Sequence, residues 1–175
     1  IVALDVGSNQ LNGTEDTAYL VSTADLLLGF SDADGDTLSV SGLSANHGSV
    51  ADNGNGTWTV TPAANYNGPV SLGYHVIDGN GGSIAASQSF SLAAVNHAPT
   101  GTATAVLAAG AEDTAYLVST ANLLAGFSDA DGDTLSVSGL SANHGSVANN
   151  GDGTWTITPV ANYNGAVSLS YNVVD

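Results

Sequence analysis

Apolar and polar residues alternate along several short segments of the chain, and turn-forming residues separate these segments. Thr37–Leu43 and Val70–Ile77 carry apolar side chains at alternate positions, which is typical of β-strands with one buried face. A last strand of this kind is predicted at Ser83–Val95. The pattern therefore predicts short strands rather than long helices.

The residues between these segments favour tight turns. Residues 53–56 read Asn-Gly-Asn-Gly and lie between strand-like segments at 49–51 and 57–61. Because Asn-Gly pairs readily adopt positive φ, this arrangement predicts a β-hairpin. Only residues 20–30 depart from the alternating pattern, and we expect one helical turn there, capped by Ser22 or Thr23.

The chain is a tandem repeat with a period of 97 residues. Residues 15–78 and 112–175 are identical at 54 of 64 positions. A period of this length is that of a domain rather than of a solenoid unit, so we predict two domains, at 1–97 and 98–175. The first copy continues for about twenty residues beyond the position that matches Asp175, and we therefore expect the second copy to lack its last strand.

About seven short strands per copy, with frequent turns between them, are typical of a Greek-key β-sandwich of the immunoglobulin type. We therefore predict an all-β protein built of tandem sandwiches. Large aromatic residues recur in both copies and are interpreted as core residues: Phe30, Trp58, Tyr66, Tyr74, Phe127, Trp155, Tyr163 and Tyr171. Two other roles stay open, a sugar-stacking platform for the set and, for Tyr66, a corner tyrosine whose hydroxyl bonds nearby backbone.

The composition excludes several classes of function. The chain contains no lysine, arginine, cysteine or methionine, and its 16 acidic residues give a formal net charge of −16. Binding to nucleic acid and attraction to an anionic membrane surface both need basic side chains, so neither is expected. No apolar run approaches the roughly 18 residues of a transmembrane helix, so membrane insertion is not expected either.

Most of the acidic residues recur in both copies, and the densest group consists of three aspartates at alternate positions. The recurrent residues are Glu15, Asp16, Asp32, Asp34, Asp36, Asp78, Glu112, Asp113, Asp129, Asp131, Asp133 and Asp175. Alternate side chains of an extended loop point the same way, so such carboxylates repel one another unless a cation lies between them. Since the chain has no basic partner to offer, we predict a Ca²⁺ site. A solvated acidic turn is the alternative.

The acidic loop does not complete the pattern of an EF-hand. Leu43 stands where the twelfth loop position, counted from Asp32, would need a glutamate. The turn at 78–82 (DGNGG) occurs once and without the repetition of a calcium-binding β-helix. The predicted site therefore belongs to neither of these motifs.

A resemblance to a known family does account for the motifs. EDTAYLV, SDADGDTLSV, ANYNG, YHVIDGNGG and VNHAPT, in this order, resemble the cadherin-like repeat of large secreted bacterial proteins. Many of those proteins are surface adhesins exported by type I secretion, with RTX-adhesin-type extender domains. The resemblance implies cadherin-like sandwiches joined end to end, with Ca²⁺ at each junction. It also implies that the Asp-Ala-Asp loop lies beside the turn of Asp78, with Glu15 at the opposite end of the domain.

The resemblance further implies which residues are calcium ligands. Those at the junction between the copies are Glu15, Asn96, Asp129, Asp131 and Asp175, with Asp133 as a further candidate. Those facing a preceding domain are Asp32, Asp34, Asp36 and Asp78, and Glu112 would reach towards a following repeat. His97 stands where such repeats usually carry aspartate, so we expect that position to offer only its backbone carbonyl or no ligand.

We expect these repeats to be calcium-stiffened extracellular spacers of a bacterial surface adhesin or fibre, supporting cell adhesion and biofilm formation. Their partners would be neighbouring repeats of the same long chain. Two alternatives stay open: a glycan- or protein-binding module, and a subunit of an extracellular filament in which another copy donates the missing strand. No enzyme is expected, because no nucleophile–base pair is recognisable. His47, His75, His97 and His144 are interpreted as surface-turn residues.

Overall fold

The computed structural model of the protein describes residues 2–3 and 12–175, and the chain divides into two compact units, Ile1–Val95 and Asn96–Asp175. The described part of the first unit contains eight strands and one helical turn. They are β1 (Val2–Ala3), β2 (Asn12–Thr14), β3 (Tyr19–Ser22), α1 (Thr23–Leu26), β4 (Ser39–Ala45), β5 (Gly48–Asp52), β6 (Thr57–Pro62), β7 (Gly68–Ile77) and β8 (Ser83–Ala93).

The strands of the first unit form two four-stranded sheets, with orders β1-β3-β6-β5 and β2-β8-β7-β4. From β3 onward the chain changes sheet between β3 and β4, between β4 and β5, and between β6 and β7, which gives the Greek-key connectivity of a β-sandwich. Most neighbours are antiparallel, whereas β1 pairs with β3 and β2 pairs with β8 in parallel. The predicted fold class is confirmed.

The predicted hairpin and helical turn are both present in the first unit. β5 and β6 pair antiparallel around residues 53–56, where Gly54 and Gly56 have φ of 72° and 78°. The side chain of Ser22 caps α1, because its Oγ accepts a hydrogen bond from the N–H of Asp25 at 3.1 Å. Leu26 is the last residue of this capped turn, and the side chain of Leu26 is fully buried in the core.

The core of the first unit lies between the two sheets. Its eleven buried apolar residues come from both sheets and from α1: Tyr19, Val21, Leu26, Trp58, Val60, Val70, Leu72, Tyr74, Val76, Phe90 and Leu92. They stand at alternate positions on β6, β7 and β8, as the period of a strand requires. The two sheets are therefore held together mainly by the burial of apolar side chains.

The aromatic residues combine burial with hydrogen bonds to the backbone. Tyr74 is 3% exposed and its hydroxyl donates to the carbonyl of Leu26 at 2.8 Å. Burial raises the pKa of Tyr74 above its ordinary value. The hydroxyl of Tyr66 donates to the carbonyl of Pro69 at 2.9 Å, as expected of a corner tyrosine. These contacts confirm the interpretation of both tyrosines as structural residues.

The second unit repeats this plan with fewer paired strands. Its elements are β9 (Thr100–Gly101), β10 (Tyr116–Ser119), α2 (Thr120–Leu124), β11 (Phe127–Ser128), β12 (Ser136–Ala142), β13 (Gly145–Asn149), β14 (Thr154–Pro159) and β15 (Leu169–Val174). The sheet orders are β10-β14-β13, β12-β15 and β9-β11. Its core has four buried apolar residues: Val118, Leu123, Leu140 and Ile157. Neither helix of the described residues is long or apolar enough to cross a membrane.

Candidate metal centre

The acidic loop of the first unit, residues 32–36, lies between α1 and β4. Asp32 organises it, because one carboxylate oxygen, Oδ1, accepts hydrogen bonds from the N–H groups of Asp34 at 2.8 Å and Asp36 at 3.1 Å. Gly35 has φ of 82°, a conformation that a side chain would strain. The alternation of small and acidic residues thus folds as a compact turn around one carboxylate.

The turn after β7 brings a further carboxylate to this loop. Oδ1 of Asp78 accepts hydrogen bonds from the N–H groups of Asn80 at 2.7 Å and Gly82 at 2.9 Å. These backbone donors, that of Asn80 above all, hold the pKa of Asp78 below its ordinary value. The side-chain amide of Asn80 donates to Oδ2 of Asp36 at 2.7 Å, which ties the turn to the acidic loop.

The structure brings together three of the four predicted residues at this end of the first unit. Asp32, Asp36 and Asp78 each present a carboxylate oxygen, and these oxygens lie within 4.8 Å of one another. All three residues are half-buried. Asp34 is exposed and stands outside the group. The turn of Asp78 therefore lies beside the acidic loop, as the resemblance implies.

The same loop in the second unit gathers a different third residue. Oδ1 of Asp129 accepts from the N–H groups of Asp131 at 2.8 Å and Asp133 at 3.3 Å. Carboxylate oxygens of these three aspartates lie within 4.8 Å of one another. The other oxygen of Asp129, Oδ2, is buried and has no hydrogen-bond partner among the described residues. A buried carboxylate oxygen without a donor is unfavourable unless a cation occupies its vicinity.

The first two residues of the second unit bind to this end of it. The N–H of His97 donates to Oδ2 of Asp131 at 2.6 Å, and Nδ1 of its ring lies 3.1 Å from Oδ1 of Asp131. The backbone hydrogen bond, followed by that of the ring, lowers the pKa of Asp131. The side-chain amide of Asn96 donates to Oδ2 of Asp175 at 2.8 Å. His97 thus contributes its N–H and ring to the acidic loop, where we expected at most its carbonyl.

Asp175 follows β15 as Asp78 follows β7, but it does not belong to the group of three carboxylates in its unit. It is exposed and bonded to Asn96. Of the predicted residues of the second unit, the structure therefore gathers Asp129, Asp131 and Asp133, and connects Asp175 to the linker residue.

Among the described residues of the first unit, Glu15 is the acidic residue whose side chain is buried. It is 1% exposed, and its Oε1 accepts the N–H of Val95 at 2.6 Å. Its Oε2 is buried and has no hydrogen-bond partner among the described residues. β8 starts five residues after Asp78 and ends two residues before Val95, so Glu15 and the turn of Asp78 lie at opposite ends of this strand. Glu112, its counterpart, is exposed in the second unit.

Two recurrent aspartates that the sequence did not distinguish have a structural role. Asp16 has φ of 56°, and its Oδ1 accepts the N–H of Asn65 at 3.0 Å. Asp113 repeats this geometry with φ of 53° and a 2.7 Å bond from Asn162. Each aspartate therefore connects the Glu-Asp-Thr-Ala turn to the Ala-Asn-Tyr-Asn turn, the two bonded positions being 49 residues apart. The recurrence of EDT and NYN at constant spacing is the signal that could have revealed it.

The donor set in both units suits a hard divalent cation. The gathered ligands are carboxylate oxygens, which Ca²⁺ and Mg²⁺ prefer over softer metals. No lysine or arginine exists in the chain to neutralise them. Among the described residues, Oδ2 of Asp129 and Oε2 of Glu15 have no hydrogen-bond partner, so each of these two oxygens is available to a metal ion. The residues present therefore fit a calcium ion.

Comparison with known proteins adds the family. No curated protein matches the chain. Among solved structures, two endo-fucoidan hydrolases of glycoside hydrolase family 107 are similar. The enzyme MfFcnA4 shows 19% identity over 98% of this chain and 25% of its own, with a TM-score of 0.33, and MfFcnA9 shows 19% over 94% and 30%, with a TM-score of 0.28. The chain thus spans less than a third of those enzymes, and these low scores carry no argument.

The family profile described as the cadherin-like domain matches twice, at residues 3–93 and 95–175. The two matches cover both repeats almost completely. They agree with the observed Greek-key sandwich and with the order of the motifs in each copy. The chain belongs to the cadherin-like domain family, as two tandem members.

Proposed function

We propose that the chain is a pair of calcium-stiffened spacer repeats of an extracellular bacterial adhesin or fibre, with a role in cell adhesion and biofilm formation. The observation that carries the proposal is the acidic loop of the second unit. Three carboxylates converge within 4.8 Å there, and Oδ2 of Asp129 is buried without a hydrogen-bond partner among the described residues. The proposal assigns no catalytic role to the chain.

Charge supports a bound cation at this loop. Like charges at such separations repel, and the chain has no lysine or arginine against them, while the ring of His97 lies against Asp131. The N–H groups of Asp131 and Asp133 both bond to Oδ1 of Asp129, which leaves Oδ2 for another ligand. A divalent cation would remove the repulsion and supply the missing partner.

Calcium is the metal that the loop favours. Mg²⁺ demands a near-ideal octahedron and keeps its waters, whereas Ca²⁺ accepts six to eight oxygens in irregular geometry. Three carboxylates that project from one turn supply an irregular set of oxygens. Outside the cell, where we place the protein, calcium is abundant enough for such a site.

A stiffening role follows from what is attached to the loop. Asn96 and His97, the first residues of the second unit, bond to Asp175 and Asp131. In the first unit, Glu15 bonds to the N–H of Val95, the residue that precedes them. We keep Glu15 as a ligand implied by the family resemblance. Calcium that orders these residues would restrict the peptide that joins the repeats and stiffen a chain of them.

Thermal unfolding and small-angle scattering of the full chain, in EGTA and in millimolar Ca²⁺, test the proposal. We expect calcium to raise the unfolding midpoint of the second unit by about 10 °C, since saturating ligand stabilises the folded state that binds it. The scattering curve should also show a longer particle with less variation in shape. Magnesium at the same concentration should have a much smaller effect.

The variant Asp129→Asn keeps the Oδ1 acceptor of the turn and removes the charge. We expect it to abolish most of the calcium response of the second unit. Asp152→Asn is the matched control, because it removes one charge from an exposed turn of the same unit outside the acidic loop. An equal calcium response in both variants would refute the assignment of the loop.

A further inference from the structure

One turn of the first unit, residues 52–57, recurs in the second unit with two changes of sequence, and one of them replaces Asn55 by Asp152. Oδ1 of Asn55 accepts hydrogen bonds from the N–H of Thr57 at 3.2 Å and from the hydroxyl of Thr57 at 2.7 Å. Oδ1 of Asp152 accepts the same two bonds from Thr154, at 3.0 Å and 2.6 Å. The turn therefore holds an amide and a carboxylate at this position with the same geometry.

The residue that follows Asn55 leaves its amide open to attack by the backbone. The nitrogen of a glycine can bond to the side-chain carbon of a preceding asparagine, because the glycine has no side chain to hinder the approach. Gly56 is exposed and has φ of 78°. Among the described residues, the N–H of Gly56 has no hydrogen-bond acceptor. Base in the solvent can therefore remove the proton of this nitrogen.

Thr57 stabilises the charge that such an attack creates. When a nitrogen bonds to Cγ of Asn55, negative charge develops on Oδ1, the atom that both donors of Thr57 already contact. Donors fixed at the atom where charge develops lower the barrier of acyl transfer. The turn thus supplies both an accessible nucleophile and a stabilised oxyanion.

Asn53 also precedes a glycine in this turn, but its surroundings differ. The N–H of Gly54 donates to Oδ1 of Asp52 at 2.8 Å, so this nitrogen is bound to a carboxylate. The side-chain amide of Asn53 is itself tied, because its Nδ2 donates to Oγ1 of Thr57 at 3.0 Å. We therefore expect Asn53 to react more slowly than Asn55.

We propose that Asn55–Gly56 is a site of spontaneous deamidation. The deprotonated nitrogen of Gly56 bonds to Cγ of Asn55, and the bond from Cγ to Nδ2 breaks, with loss of ammonia that takes its added proton from water. Water then opens the cyclic imide. Breaking the new bond to Cγ gives aspartate, and breaking the original peptide bond gives isoaspartate. The net reaction consumes one water, releases one ammonia and adds one negative charge, and it does not depend on calcium binding.

The two products should affect the first unit differently. Aspartate reproduces the arrangement of Asp152 and should leave the turn intact. Isoaspartate carries the main chain through its side-chain carbons and so lengthens the backbone directly before Gly56. The carbonyl of Gly56 accepts the N–H and the hydroxyl of Thr23, each at 2.9 Å, where α1 begins. Isoaspartate should therefore weaken the attachment of α1, the element that places Leu26 in the core.

Peptide mapping by mass spectrometry, after incubation of the full chain in mildly alkaline buffer, tests the proposal. Conversion should be faster at Asn55 than at Asn53. Thr57→Val keeps the shape of the side chain and removes the hydroxyl donor. It should slow conversion at Asn55 about 10-fold, less than the loss of such a donor costs an enzyme because the turn is exposed. Asn67, which also precedes a glycine, should convert at an unchanged rate, and Thr154→Val is the matched control that should leave Asn55 unaffected.

The sign of the Thr57→Val effect is decisive, because a turn that reacted through looseness would react faster without this hydroxyl. Ion exchange separates the products, and fluorescence of Trp58 in a Trp155→Phe background follows the first unit. The isoaspartate fraction should unfold about 5 °C below the Asn55→Asp variant, which should match the unmodified protein. Equal conversion at Asn53 and Asn55, no slowing in Thr57→Val, or equal stability of the two products would overturn the proposal.

Discussion

Leu72 and Leu169 are the same residue in two nearly identical repeats, yet we expect very different effects from truncating them. Leu72 is fully buried between the sheets of the first unit, under β8. Leu72→Ala removes about three buried carbons and leaves a closed void, and we expect a loss of about 3–4 kcal/mol in the free energy of unfolding of that unit. Leu169 is half-buried and lines an open cavity. Leu169→Ala should lower the free energy of unfolding by about 1 kcal/mol, because less burial is lost and no new void forms.

Each unit contains one tryptophan, so the two unfolding transitions can be observed separately. Leu72→Ala is measured in a Trp155→Phe background, where fluorescence comes from Trp58, and Leu169→Ala in a Trp58→Phe background. Urea titrations in EGTA, compared with the background protein alone, give each difference without a contribution from calcium. A loss for Leu169→Ala as large as that for Leu72→Ala would refute the reasoning, since it would show that the side chain of Leu169 is as deeply buried as that of Leu72.

Three further predictions concern single contacts. Tyr74→Phe should destabilise the first unit by about 1–2 kcal/mol in urea titrations, because a buried carbonyl of α1 loses its hydrogen bond. Asp113→Ala should lower the unfolding midpoint of the second unit, since it removes the bond to the N–H of Asn162 and places alanine at φ of 53°, whereas Asp113→Asn should retain most of the stability. The hydrogen bonds of Thr154 lower the pKa of Asp152, so its stabilisation is complete above about pH 4 and is lost as the pH falls further. Asp152→Asn, which recreates the first copy's residue at this turn, should therefore flatten the dependence of the urea midpoint on pH below about pH 4.

Local elements of the fold were predictable from the sequence because their causes are local. The cap of α1 is a bond between residues three apart, and the hairpin at 53–56 depends on glycines within four residues. The alternation of buried and exposed residues along a strand was predictable because successive side chains point to opposite faces of the sheet. Strand ends were predicted less well: β4 begins at Ser39 and β8 ends at Ala93, each two residues from the expected limits. Those ends depend on which residues find a partner strand.

The candidate metal centre was predictable as a cluster but not as a set of ligands. Three aspartates at alternate positions indicated the loop. In the first unit, however, only Asp32 and Asp36 belong to the group of three carboxylates, and the third carboxylate, that of Asp78, comes from the turn after β7. The tie between Asp36 and Asn80 spans 44 residues, and that between Glu15 and Val95 spans 80. No sequence period links such positions, since they come into contact only when the strands pair and the two sheets pack against each other.

The sequence by itself determined the repeat, the strand pattern, the excess of negative charge and the family. Only the tertiary structure decided which identical residues are buried. Tyr19 and Tyr116 lie in the same local sequence, but the first is 3% exposed and packs against Phe90, whereas the second lines a cavity. The physical reason is that burial depends on the strand that packs over a residue, and in a β-sandwich that strand lies far away along the chain.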